Sequence, residues 1–94
     1  MNREDVLKLL KASLGYVVLD EAKSFQLNHL INTSCEMIQR EGVTLSEPFS
    51  HEDAQLIEMY AAYLFRKRAT DEPMPRMLRW ALNNRIFSEK ARKE

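Results

Sequence analysis

Residues 50–68, SHEDAQLIEMYAAYLFRKR, constrain the fold more than any other stretch of the chain. At about 100° per residue, Ala54, Leu56, Ile57, Tyr60, Ala61, Tyr63, Leu64 and Phe65 cover well over half of a helical wheel. Only Gln55, Glu58 and Arg66 mark a narrow polar strip. A helix that is apolar almost all round must be covered on several sides. The sequence therefore predicts a central pillar wrapped by other helices, or by helices on one side and a partner subunit on another. Ser50 followed by Asp53 is a capping-box pattern that sets the start of this helix. Arg66, Lys67 and Arg68 place cations at the carbonyl end of its dipole.

The flanking segments read as three more helices. Asn2, answered by Asp5, caps a first helix over about Arg3 to Leu14, with Val6, Leu7, Leu10 and Leu14 on one face. Gly15 suits the left-handed residue that ends it. YVVL, residues 16–19, reads as a buried extended linker, because a lone strand there has no partner. Asp20 caps a second helix of roughly 20 residues, whose stripe is Leu27, Leu30, Ile31, Ser34, Met37 and Ile38; Phe25 and His29 lie off it. Gly42 marks its stop, and the short VTLSEPF linker predicts close, antiparallel packing against the pillar. Pro75 suits the first position of a last helix, about Arg76 to Lys90. Met77, Leu78, Ala81, Leu82 and Ile86 are expected to face the pillar. Trp80 and Phe87 form a second stripe on the opposite side. The expected fold is an all-α, compact bundle of about four helices in one domain, residues 1–94, with a charged C-terminal tail from about residue 88.

Composition narrows the function classes. Two glycines, three prolines and 45% hydrophobic residues suit an ordered helical chain. No apolar run approaches the roughly 18 residues of a membrane helix, and MNREDVLK reads as neither a signal nor a transit peptide. The one cysteine, Cys35, leaves no intrachain disulfide framework. A net charge of zero hides an asymmetry. Residues 1–58 carry five Lys or Arg against ten Asp or Glu, whereas residues 59–94 carry nine against four. A chain with an acidic and a basic half can stack head to tail or present a basic face to an acidic partner, protein or nucleic acid.

No catalytic constellation emerges, and no metal or cofactor is expected. His29 and Cys35 are six residues apart, so they diverge on a helix, and no CxxC or HxxxH spacing accompanies His51. The carboxylate pairs Glu4-Asp5, Asp20-Glu21 and Glu52-Asp53 all sit at helix starts, where capping and dipole chemistry account for them. The basic residues are more informative. Arg66, Lys67, Arg68, Arg76, Arg79 and Arg85 fall at the end of one helix and the start of the next. That cluster admits a small DNA-binding regulator using the loop and last helix, with Trp80 interleaved. It also admits a solvated or protein-facing surface, which the two prolines and two acids of the loop favour. Trp80 and Phe87 can be core beneath the first helix or a subunit interface, since aromatic residues ringed by arginines are typical of interfaces.

A capped helix ending REGV, a helix ending MYAAYLFRKR and then PMPRMLRWALNNRIFSEKA follow one another in an order that resembles the head–tail connector family of tailed bacteriophages and prophages. These are small helical adaptors, also called DNA-packaging proteins. The resemblance spans nearly the whole chain; its specific part runs from Met59 to Lys90, and the first 45 residues match only as a helix pattern. It implies a non-enzymatic subunit of a ring, dodecameric in the virion, that docks below the portal protein and extends the DNA channel. It implies a downstream neck or tail completion protein as a further partner, and no membrane. Its place would be the virion neck, and the host cytoplasm during assembly. No family motif assigns portal-facing or channel-lining positions. From the residues themselves, Arg76, Arg79, Trp80 and Phe87 are the expected subunit or portal contacts. Arg66, Lys67, Arg68 and Arg85 are the expected basic surface, facing an acidic portal or touching passing DNA without sequence preference.

Overall fold

The computed structural model describes residues 1–15, 20–68 and 71–93, with the backbone alone for 92 and 93. Among them it forms four helices and no strand: α1 (Arg3–Leu14), α2 (Glu21–Arg40), α3 (His51–Lys67) and α4 (Arg76–Lys93). The linker expected over residues 16–19 lies outside the described residues. Three of the four predicted starts have their chemical cause in place, and Pro75, expected as the first residue of the last helix, instead immediately precedes α4, with its carbonyl accepting from the Arg79 N–H at 3.1 Å. Asn2 accepts a hydrogen bond from the Asp5 N–H at 3.0 Å, and its own N–H donates to Asp5 Oδ2 at 3.1 Å. Asp20 accepts from the Lys23 N–H at 2.7 Å, and Ser50 from the Asp53 N–H at 3.1 Å. These contacts satisfy amides that have no partner inside a helix. Gly15 closes α1 at φ 79°, a left-handed conformation that costs glycine little.

Helix α3 is the element the others share: α1, α2 and α4 all pack on it, and α1 also packs on α2. Lys23 and Gln26 at the start of α2 lie beside Phe65 and Arg68 at the end of α3, so these two helices run antiparallel as expected. The core is one cluster, with Val6 and Leu10 from α1, Leu27, Ile31 and Ile38 from α2, Ala54, Ile57 and Ala61 from α3, and Leu78 and Leu82 from α4. The buried residues of α3 lie between Asp53 and Ala62; Tyr63, Leu64 and Phe65 are half-covered. Tyr60 and Tyr63 meet edge to face, with centroids 6.0 Å apart. Burial, with Glu41 and Tyr63 nearby, holds the Tyr60 phenol above its usual range.

Two stripe assignments differ from the sequence reading. Met37 is exposed at the edge of the α2 stripe, while Cys35 is buried in its place. Met77 does not face the pillar and is 68% exposed. The inward direction of α4 runs through Leu78, Leu82, Arg85 and Glu89, and Met77 is turned about 100° from Leu78. The charged end of α4 is also no loose tail. The helix continues to Lys93, and Glu89 is, with Asp53, one of two buried charged residues among those described.

Candidate functional site

The side of α4 turned away from α3 carries the candidate site, and its geometry depends on how firmly α4 is held. Leu78 and Leu82 provide the apolar attachment, both essentially without solvent exposure. Polar anchors then fix both ends of the helix. Near its start, Arg79 Nη1 donates to Glu41 Oε1 at 2.7 Å, tying α4 to the C-terminus of α2. That hydrogen bond raises the Arg79 pKa further above its already high ordinary value.

Farther along, Arg85 ion-pairs with Asp53 and donates from Nη2 to the Thr44 carbonyl at 3.3 Å. Glu89 accepts from the Thr44 N–H with both carboxylate oxygens, at 2.8 and 2.9 Å. Arg85 Nε lies 3.3 Å from Glu89 Oε1, close enough for charge attraction but without hydrogen-bond alignment. The three side chains retain only 16%, 11% and 8% exposure for Arg85, Asp53 and Glu89. Together they clamp the Thr44 peptide between α4 and the start of α3. Asp53 completes only half of the expected capping box, because its carboxylate turns to Arg85 instead of returning to the Ser50 N–H.

Held in this way, α4 presents Met77, Trp80 and Phe87 outward, at 68%, 65% and 75% exposure. Spacings of three and seven residues put them on one stripe, with Asn84 between and Ala91 beyond, both also exposed. Arg76, Asn83 and Lys90 line one edge of the stripe, all exposed. Beside Trp80 the stripe opens into a groove of about 210 Å³ between α3 and α4. Leu56, Met59, Met77 and Ala81 form its apolar wall, and Arg85 and Glu52 stand at one end. Met-rich walls adapt to the shape of what enters them.

The structure therefore separates residues that the sequence groups together. Trp80 and Phe87 share the outer face with Arg76, whereas Arg79 and Arg85 belong to the anchors beneath it. Arg66, Lys67 and Arg68 remain exposed at the far end of α3. Lys67 lies 5.7 Å from the Tyr63 ring centroid, and Lys67 and Arg68 flank a shallow groove against His29 and Thr33 of α2. Arg85 is not part of that basic surface, since it faces two carboxylates. The sequence reading also missed Glu89 and the second role of Asp53. An i,i+4 Arg–Glu pair in line with Leu78 and Leu82 is the signal that could have disclosed the anchor.

Among the described residues no group of His, Cys, Asp or Glu could hold a metal ion, and no helix is long and apolar enough to cross a membrane. Cys35 is buried; burial raises its thiol pKa, and the neighbouring Arg3, whose Nη1 lies 3.4 Å from Sγ, opposes the rise. The chain defines an all-α four-helix protein whose most conspicuous surface is an aromatic stripe. Compared with protein-family models, curated proteins and solved structures, it matches none.

Proposed function

We propose that this chain is a structural, non-enzymatic assembly subunit, and specifically a head–tail connector subunit of a tailed bacteriophage or prophage. In this reading, copies form a ring below the portal, extend the DNA channel and join the head to the tail. The observation that carries it is the outward stripe of Met77, Trp80 and Phe87 on a helix anchored at both ends. Large exposed aromatics on a rigid element are what a protein–protein contact needs, because little ordering is lost on docking. The resemblance of Met59 to Lys90 to the connector family supplies the particular assembly.

The opposed charges of the two halves suit neighbours in a closed ring, where each copy uses two different patches. The rival reading, a DNA-binding regulator working through α4, has less to draw on. Arg79 and Arg85 are committed to carboxylates, and the exposed face of α4 is centred on Met77, Trp80 and Phe87 where a recognition helix would be polar.

Deleting the gene from the phage or prophage genome that carries it tests the proposal. DNA-filled heads and free tails that fail to join are expected, with the protein detected in wild-type particles. Normal tailed particles formed without it would overturn the reading, as would sequence-preferring DNA binding with a steep salt dependence.

A further inference from the structure

We propose that the α4 stripe docks on α2 of a second copy of this chain, with Phe25 of one copy packed beside Trp80 of the next. This rests on the reading of the chain as a self-assembling subunit and adds to it the two surfaces that meet. Among the described residues Phe25 is the most exposed large apolar side chain, at 76%, and lies on the side of α2 turned away from the core. Glu21, Asn28, His29, Asn32 and Glu36 share that face, all exposed. The basic neighbour Lys23 turns inward instead, 5.6 Å from the Phe65 ring centroid. One surface is thus an aromatic residue with Glu21 and Glu36 on its face, where Arg3, which reaches in to Asn32 at 2.7 Å, is itself paired with Glu47 at 2.8 Å. The other is an aromatic stripe edged by Arg76 and Lys90.

The spacings also agree. Glu21 and Glu36 are 15 residues apart, or about 22 Å along a helix at 1.5 Å per residue. Arg76 and Lys90 are 14 residues apart, or about 21 Å. With the two helices side by side in parallel at a shallow crossing angle, Trp80 against Phe25 puts Arg76 level with Glu21 and Lys90 one residue short of Glu36 along the shared axis, within the reach of these long side chains. The groove of about 210 Å³ beside Trp80 has room for a phenyl ring, since an apolar cavity of about 150 Å³ already holds benzene.

Charge argues against the simplest alternative, two α4 stripes facing each other. On α4 itself the charged residues beside the stripe are Arg76 and Lys90, with Glu89 turned inward onto Arg85 and Thr44, so facing stripes would set cation against cation. The exposed carboxylates Asp71 and Glu72 belong to the preceding loop and Glu52 to α3. Such like-charge opposition selects against that pairing. A contact between α2 of one copy and α4 of the next uses two different patches, so successive copies associate head to tail and close into a ring if the rotation permits.

Charge reversal in the full-length chain tests this, read by sedimentation equilibrium at protein concentrations up to about 1 mM, which reaches weak association. Wild type is expected to associate. Phe25→Ser and Trp80→Ser should each weaken association roughly thirtyfold, as truncation of an interface anchor does. The pair Glu21→Lys with Glu36→Lys should abolish it, as should Arg76→Glu with Lys90→Glu. Mixing these two double variants should restore it, because each then offers a surface opposite in charge to one on the other. Circular dichroism of each variant confirms that the helices remain folded.

If the α2 double variant associates like wild type, α2 is not the counterpart and the inference fails. If wild type assembles and neither reversal changes it, this contact fails while self-assembly itself stands. If the chain stays monomeric throughout and the mixture does too, this contact is overturned; the gene-deletion experiment then decides the connector reading separately.

Discussion

Replacing Arg85 with Met should be the most damaging polar substitution in this protein. The guanidinium faces Asp53 and Glu89, neither with more than 11% side-chain exposure, and it also reaches the Thr44 carbonyl. Its own pKa is raised above the ordinary arginine value, chiefly through the hydrogen bond to Asp53. Removing one partner of a buried pair costs about 3–5 kcal/mol, because the remaining charge is stranded. Two features reduce that figure here. Asp53 lies in the first turn of α3, where the helix dipole favours an anion, and Glu89 keeps both contacts to the Thr44 N–H. A loss of about 2–3 kcal/mol is therefore expected.

Glu89→Gln keeps an acceptor for Thr44 and removes one carboxylate charge, so it should cost only about 1 kcal/mol. Once Arg85 is gone, Glu89 is an unpaired charge and its removal should cost less still. The double variant should fall short of the sum of the singles by about 1 kcal/mol. Urea unfolding with a common slope measures all three changes. If Arg85→Met costs less than about 0.5 kcal/mol, as an ordinary surface substitution would, or if the two substitutions add, the clamp on α4 is not what the geometry indicates.

Trp80→Ala and Phe87→Ala should change monomer stability by less than about 0.5 kcal/mol, since both side chains are largely exposed; urea unfolding at low protein concentration measures this, and a loss above about 2 kcal/mol would make them core. Ser50→Ala removes the acceptor of the Asp53 N–H and should cost about 1 kcal/mol, with helix loss visible by circular dichroism. Burial raises the Cys35 pKa in the folded chain. As pH rises, the unfolded thiol ionises first, so stability should hold below its usual value of about 8.5 and decline above it. Cys35→Ala should flatten that alkaline decline, and the native thiol should alkylate slowly at neutral pH.

Much of the fold was legible because local chemistry fixed it. Asn2 with Asp5, Gly15, Asp20 and Ser50 mark helix ends through their own side chains or backbone freedom. The crowded wheel of residues 50–68 demands neighbours on several sides, and α1, α2 and α4 supply them. What could not be read was chosen by tertiary neighbours. Asp53 looks like a cap residue until Arg85 is placed beside it, and Glu89 looks like part of a solvated tail until α4 is known to continue past it. A helical wheel groups Met77 with Leu78 because it gives relative angles, not the direction of the partner helix; with Leu78 and Leu82 inward, Met77 joins Trp80 outside. The second stripe itself was visible in the spacing of Trp80 and Phe87. Whether another helix of the same chain covers it depends on where α1 runs, and no periodicity within α4 encodes that.

Trp80, the one tryptophan in the chain, reports directly on whether the outer face of α4 is where this protein meets its partners. Its emission and its quenching by acrylamide should be compared between the dilute chain and the assembled state, whether a concentrated self-associated form or intact particles. In the dilute chain the indole should be readily quenched and emit near free tryptophan, because 65% of the residue is open to solvent. On assembly its emission should move to shorter wavelength and quenching should fall several-fold. An indole that remains equally red and equally quenched in the assembled state would place the contact elsewhere and contradict the account.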